Sequence, residues 1–241
     1  MPPKRDGQNK VAVITGGGSG IGLAMARIFA VNGYSVVITG RETKRLQKAA
    51  TTISDDKRQV TGIHCDVRDP ASVERLFREV GRQHSKIDVL INNAGVAHSL
   101  APVDQLPVET WKEVIDTNLT GTFLVTRAAL PLMRAGGTIV NNLSVAALQP
   151  FAGMSAYNAS KFGALGFTHA LREDLRKRGI RVVALLPGAT DTEIWGQFWK
   201  DAPKEKMISA ETVAQAVLHA VSAPANTTIE EIRIGPAAGV L

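Results

Sequence analysis

Sulfur, aromatic rings and long apolar runs are all scarce in this chain of 241 residues, and each scarcity closes a class of explanation. The single cysteine, Cys65, cannot form an intramolecular disulfide and has no partner at zinc-ligand spacing, so no metal site is expected. Its place in an apolar stretch reads as a small buried hydrophobe. No apolar run reaches the roughly 18 residues of a membrane span, and the amino terminus, MPPKRDGQNK, lacks the apolar core of a signal peptide. The expectation is a soluble, cytoplasmic protein with no membrane partner and a flexible tail at 1–9. Aromatic residues make up 5% of the chain and only two are tyrosines, so the surroundings of each tyrosine carry information.

What is present is ordinary for a folded enzyme. Hydrophobic residues are 44% and charged residues 21% of the chain, enough to bury one sizeable core, and the reading is one domain over 1–241. The formal net charge of +6 raises the question of nucleic acid. The basic residues are dispersed along predicted helices (Lys44, Arg45, Arg75, Arg78, Arg172, Arg176, Lys177, Arg178), not gathered into one run, so no nucleic-acid partner is expected. A polyphosphate cofactor makes better use of local positive charge.

Short apolar runs rich in Val and Ile alternate with longer helical patterns. The runs span 11–15, 35–39, 60–65, 87–92, 137–143, 180–186 and 231–234. Strands apolar on both faces are covered by helices on both sides, which predicts a parallel sheet. The fold class expected is α/β, a single Rossmann-type doubly wound sheet of seven strands in the order 3-2-1-4-5-6-7. Helices are predicted from Gly20 to Gly33, after the Asp69-Pro70 start signal, from Pro107 to Met133, and from Met154 to Lys177.

The first predicted strand runs into Thr-Gly-Gly-Gly-Ser-Gly-Ile-Gly, Thr15 to Gly22, and then into a helix. Glycines at Gly16, Gly18, Gly20 and Gly22, with Ser19 and Ile21 between them, let backbone approach a pyrophosphate at a helix amino terminus. At the end of the second strand, where an acidic residue would bind the adenosine ribose of NAD, the chain has Gly40 followed by Arg41. A missing carboxylate and an adjacent guanidinium favour the additional phosphate of NADP(H), with NAD(H) as a weaker alternative. Lys44 and Arg45 read as a solvated helix face.

Tyr157 and Lys161 are four apart on a predicted helix, thirteen residues after Ser144. Residues at that spacing share a face, which places an ammonium near a phenol and predicts a lowered tyrosine pKa. With Thr15 to Gly22, Asp66-Val67, Asn92-Asn93-Ala94-Gly95, Asn118, Ser144, Tyr157, Lys161, Pro187-Gly188 and Thr192 in this order, the chain resembles the short-chain dehydrogenase/reductases over nearly its whole length. The resemblance implies a catalytic set of Asn118, Ser144, Tyr157 and Lys161: Tyr157 as proton donor, Ser144 polarising the same carbonyl, Lys161 holding the nicotinamide ribose, and Asn118 positioning a relaying water. It also implies that Asp66 accepts from the adenine amino group, that Val67 lies against that ring, and that Asn93 passes beneath the adenosine ribose. Thr190 and Thr192 would bond the nicotinamide carboxamide. One departure is Ser19, which stands where many NADP-dependent relatives carry a basic residue. Each residue also has a plainer reading: Ser144 as a turn or cap, Asn118 bonded to backbone, Asn93 as turn chemistry, Thr192 as a helix cap.

Substrate-facing segments are expected at 96–100, 145–154 and 189–208. The last holds Ile194, Trp195, Phe198 and Trp199, a stripe that reads more readily as core packing than as an apolar lid. Lys200, Lys204 and Lys206 could guide an acidic carrier, although a solvated face is the simpler reading. The activity expected is NADP(H)-dependent interconversion of a small-molecule ketone or aldehyde with an alcohol. A 3-oxoacyl-thioester reductase is the narrower alternative, and a non-catalytic dinucleotide-sensing or scaffold protein the alternative of another class. The two long predicted helices are expected to pair with their copies in a homodimer or homotetramer.

Overall fold

Seven strands form the centre of the computed structural model, which describes residues 10–55, 59–199 and 201–239. The predicted tail at 1–9 and Lys200 lie outside the described residues. The strands are β1 (Val11–Thr15), β2 (Ser35–Gly40), β3 (Val60–His64), β4 (Ile87–Asn92), β5 (Met133–Asn142), β6 (Arg181–Pro187) and β7 (Glu231–Ile234). Every neighbouring pair is parallel and the order is β3-β2-β1-β4-β5-β6-β7, as expected.

Alternate residues of each strand serve opposite layers, because side chains alternate across a sheet. Ala12, Ile14, Val36 and Ile38 pack with α1 (Gly20–Val31), α2 (Thr43–Ile53) and α7 (Ala210–Val221). Val13, Val37, Leu90, Ile139 and Val182 pack with α3 (Pro70–Gln83), α5 (Gly121–Ala129) and α6 (Ser155–Arg176). α4 (Val108–Ile115) rests on α6. Strand order reverses between β1 and β4, and a crevice opens at that switch point beyond the strands' carboxyl ends.

Local signals act where they were expected at several ends. Asp69 caps α3 by accepting from the Ala71 N–H at 2.9 Å, with Pro70 in the first turn. Gly33, at φ +83°, follows α1. Two expectations are corrected. The predicted helix from Pro107 to Met133 is broken at Asp116–Thr120 by one π turn, which separates α4 from α5, and a short 3₁₀ turn ends it at Leu132. Strand β5 then starts at Met133 instead of Gly137: Met133 pairs with Ile87, and the register shifts before Thr138 pairs with Val89, through Gly136 at φ +87°. The helix α7, capped by Ser209 accepting from the Thr212 N–H, had no counterpart among the predicted helices.

Candidate active site

The loop after β1 is shaped by contacts that tolerate no side chain. Gly16 and Gly20 adopt φ +65° and +50°, and a Cβ on Gly22 would lie 2.3 Å from the Gly16 carbonyl oxygen. Thr15 and Asn93 hold this loop to the end of β4. Thr15 Oγ1 accepts from the main-chain N–H groups of Asn93 and Ala94, each at 2.9 Å. Asn93 Nδ2 donates to the carbonyls of Thr15 at 2.9 Å and Gly16 at 3.2 Å. Asn93 is therefore a strut of the loop, the plainer of its two readings.

A cavity of about 670 Å³ starts at this loop and runs along the carboxyl ends of β4, β5 and β6. It is lined by Gly16, Ser19, Gly20 and Ile21 of that loop, by Ser144, Tyr157 and Lys161, and by the large apolar side chains of Leu100, Phe151, Met154, Trp195, Phe198 and Trp199. Thr190 and Thr192 line it as well; Thr190 Oγ1 donates to the Gly188 carbonyl at 3.0 Å, and Thr192 opens the turn at Glu193–Gln197 without a side-chain cap.

Tyr157 and Lys161 share one face of α6, with the Lys161 ammonium 5.5 Å from the centroid of the Tyr157 ring. Burial pushes the Tyr157 phenol above its ordinary pKa, and the hydrogen bond with Ser144 works in the opposite direction. The predicted lowering of the tyrosine pKa by Lys161 is thus not the balance in this structure: the ammonium stands over the ring face, while burial of the hydroxyl dominates. Burial also pushes Lys161 down to about 8. Its Nζ donates to the Asn142 carbonyl at 3.2 Å.

Asn118 sits in the π turn, 3% exposed, with its amide fully engaged. Nδ2 donates to the Val96 carbonyl at 2.9 Å and to Ser160 Oγ at 3.0 Å, and Oδ1 accepts from the Val96 N–H at 2.9 Å. A Cβ on Gly95 would stand 3.3 Å from Asn118 Oδ1 and 3.7 Å from Lys161 Nζ, so glycine there lets these groups close around the chain. Ser144 caps the turn that follows it, accepting from the Ala146 N–H at 3.1 Å, and also hydrogen-bonds Tyr157.

Just after β3, Asp66 accepts from the Arg68 guanidinium at 2.6 to 3.1 Å, and this pairing holds its carboxyl below the usual range. Val67 is buried, against Gly121. Arg41 is half exposed and reaches Glu113 at 3.7 Å. Arg45 departs from its expected solvated face. Its stem runs beside Gly18 and its guanidinium pairs with Glu42 and with Glu193.

The aromatic stripe is likewise corrected: Trp195, Phe198 and Trp199 wall the cavity, with ring centroids 5.0 and 6.0 Å from Trp195, instead of packing in the core. Gln197 ties that segment to the loop after β4, its Oε1 accepting from the Ala97 N–H at 2.9 Å. Lys204 pairs with Asp191 at 3.2 Å on the surface. Sequence reasoning passed over Glu193, Gln197 and Asn142. For Asn142 a signal existed, a second consecutive asparagine in an otherwise apolar strand. Among the described residues no group of three or more His, Cys, Asp or Glu is placed to hold a metal ion.

The family of short chain dehydrogenases matches residues 10–203. An uncharacterized oxidoreductase of Staphylococcus saprophyticus is 34% identical over 232 residues, 95% of this chain and 98% of that one. Sulfoacetaldehyde reductase 2 of Chromohalobacter salexigens is 35% identical over 237 residues, 94% of each. Among solved structures, an alcohol dehydrogenase from the archaeon Thermococcus sibiricus, complexed with 5-hydroxy-NADP, superposes with a TM-score of 0.88 at 28% identity, covering 96% of this chain and 98% of that one. The chain belongs to the short-chain dehydrogenase/reductase family and is an oxidoreductase of that family.

Proposed function

We propose that this oxidoreductase is a NADP(H)-dependent carbonyl reductase acting on a small-molecule ketone or aldehyde, or on the corresponding alcohol in reverse. The observation that carries the reading is that Tyr157, Lys161 and Ser144 line one cavity together with the glycine loop and a set of large apolar side chains. The cradle suits a pyrophosphate: Gly16, Gly18, Ser19, Gly20, Ile21 and Gly22 leave backbone bare at the start of α1, where free N–H groups and the helix dipole favour anions. Arg41, which reaches Glu113 at 3.7 Å, meets the 2′-phosphate. Asp66 and Val67 border the adenine, Asn93 holds the loop beneath the ribose, and Thr190 and Thr192 face the carboxamide.

NADP(H), when bound, supplies or accepts the hydride. Tyr157 delivers the proton to the carbonyl oxygen, and Ser144 hydrogen-bonds the same oxygen as charge develops on it. Lys161, protonated for most of its population at pH 7, keeps positive charge beside the phenolate that Tyr157 becomes. Asn118 acts on this set as a positioning residue through Val96 and Ser160. The aromatic wall keeps water from the carbonyl and suits an apolar substituent on it. The narrower 3-oxoacyl-thioester reading is supported only by likeness to a 3-ketoacyl-(acyl-carrier-protein) reductase from Brucella melitensis, at 29% identity.

NADPH is titrated first by fluorescence, and a panel of ketones, aldehydes and 3-oxoacyl thioesters is then followed by loss of nicotinamide absorbance. The expected result is oxidation by carbonyl compounds with apolar substituents. Tyr157→Phe is expected to retain NADPH binding and lose about 10²- to 10⁴-fold in turnover, the usual worth of a positioned proton donor. Unchanged turnover in that variant defeats the assignment, and tight NADPH binding with no oxidation by any compound favours the sensing alternative.

A further inference from the structure

We infer that Asn142 is a positioning residue that ties the seating of the glycine loop to the position of Lys161. The inference rests on the proposed role of Lys161 and adds a residue to it. Asn142 links two parts of the site that lie far apart along the chain. Its main-chain carbonyl accepts from Lys161 Nζ at 3.2 Å, and its side-chain Nδ2 donates to Asn93 Oδ1 at 2.8 Å. Asn93 in turn donates to the carbonyl of Gly16, the first glycine of the loop, at 3.2 Å. Three hydrogen bonds therefore run from the loop to the lysine through Asn93 and Asn142.

The amide orientations are set by this chain of partners. Asn93 Nδ2 faces two carbonyls, which can only accept, so Asn93 presents its Oδ1 to Asn142. Asn142 must then offer its Nδ2. That orientation leaves Asn142 Oδ1 enclosed and without a partner among the described residues. An aliphatic side chain at this strand position would carry no such unmet acceptor, which ordinarily costs about 1–3 kcal/mol. The amide is in place for its donor end, and that donor serves Asn93. Alternation along β5 explains the division of labour: Asn141 bonds Thr168 on the α6 side, while Asn142 turns toward the loop and lines the cavity.

The consequence is mechanical. When a pyrophosphate settles on the loop, any shift of the Gly16 carbonyl passes through Asn93 to the backbone of Asn142, and so to the acceptor that holds Lys161. A carbonyl that accepts from the ammonium favours its charged form, so loosening Asn142 lowers the lysine pKa further below about 8.

The test compares Asn142→Leu and Asn142→Ser with the unaltered protein, by NADPH fluorescence titration and by NMR titration of ¹³C-labelled lysine, with the Lys161 signal assigned from Lys161→Arg. Both readouts are taken without substrate, so they stand whether or not the reductase reading survives. Expected are a loss of NADPH affinity of about fivefold, the worth of one net hydrogen bond, and a Lys161 titration displaced to lower pH. Restoring the donor with Asn142→Gln should return part of the affinity. Unchanged NADPH affinity with an unchanged Lys161 titration in a folded variant overturns the inference. A loss of affinity without movement of the lysine titration also overturns it, since Asn142 would then serve the loop alone. If the leucine variant does not fold, the smaller serine variant decides between these results.

Discussion

Lys161 shows how a residue's chemistry and its contribution to stability can oppose each other. It is 6% exposed and its pKa falls from 10.5 in the unfolded chain to about 8 in the fold. Below pH 8 the protein must hold a charged lysine that the interior disfavours, at a cost of about 3 kcal/mol. Between pH 8 and 10.5 the unfolded chain binds more protons than the folded one, so stability rises with pH across that window and the cost disappears above it. Lys161→Met is therefore expected to melt at higher temperature than the unaltered protein at pH 7, with the difference shrinking toward pH 10.5; calorimetry at a series of pH values checks this. Arg41 is a second case. Its guanidinium is half exposed and weakly held by Glu113 at 3.7 Å, so it is free to be recruited by a phosphate. Arg41→Ala is expected to weaken NADPH about 10- to 100-fold, the range of charge-assisted hydrogen bonds, and to leave NADH nearly unchanged, as read by parallel fluorescence titrations. Equal weakening of the two cofactors would assign the phosphate elsewhere.

At the scale of elements, the segment after β6 borders the glycine loop and is held there by two contacts. A Cβ on Gly20 would lie 3.2 Å from the Thr192 side chain, so this segment already rests on the start of α1. It is fastened on one side by Arg45 and Glu193 and on the other by Gln197 with Ala97. The ion pair is solvent-exposed on the Glu193 side, which limits its worth to about 1 kcal/mol or less. Glu193→Gln is accordingly expected to speed NADPH release only about twofold to fivefold in stopped-flow mixing. Raising ionic strength should speed release from both proteins, because the Arg41 contact with phosphate is screened too, and by a larger factor from the unaltered protein. The π turn at Asp116–Thr120 is another element-level feature. It presents Asn118 to the loop after β4 in the middle of an otherwise continuous helical run, and hydropathy patterns carry no trace of such a turn.

For the whole molecule, the helix layer of α4, α5 and α6 leaves large apolar side chains in water. Trp111, Phe123 and Phe162 are 40%, 44% and 46% exposed, and Phe123 packs edge-on to Phe167 with ring centroids 6.1 Å apart. These exposed apolar side chains on α4, α5 and α6 support the expected pairing of copies. Light scattering is expected to give a dimer or tetramer at micromolar concentration, and Phe162→Asp to give a smaller species. A monomer for the unaltered protein would defeat the expectation. No helix among the described residues is long and apolar enough to cross a membrane.

The parallel sheet and its two-sided burial were legible in the sequence, because uniformly apolar strands separated by helical patterns admit few arrangements besides a covered parallel sheet. The glycine loop, the four-residue spacing of Tyr157 and Lys161, and the capping of α3 by Asp69 were legible for the same reason: each is a local rule whose partners lie within a few residues. Tertiary structure alone decided the matters that depend on distant partners. Arg45 meets Glu193 across 148 residues, and Asn142 meets Asn93 across 49. The aromatic stripe became a cavity wall because β6 delivers it over the site, although its helical spacing equally suited a core. The balance at Tyr157 was decided the same way. Spacing on a helix fixes which side chains are neighbours, while burial and the direction of approach, set by the packing of the sheet's carboxyl ends, determine how the charge of one acts on the other.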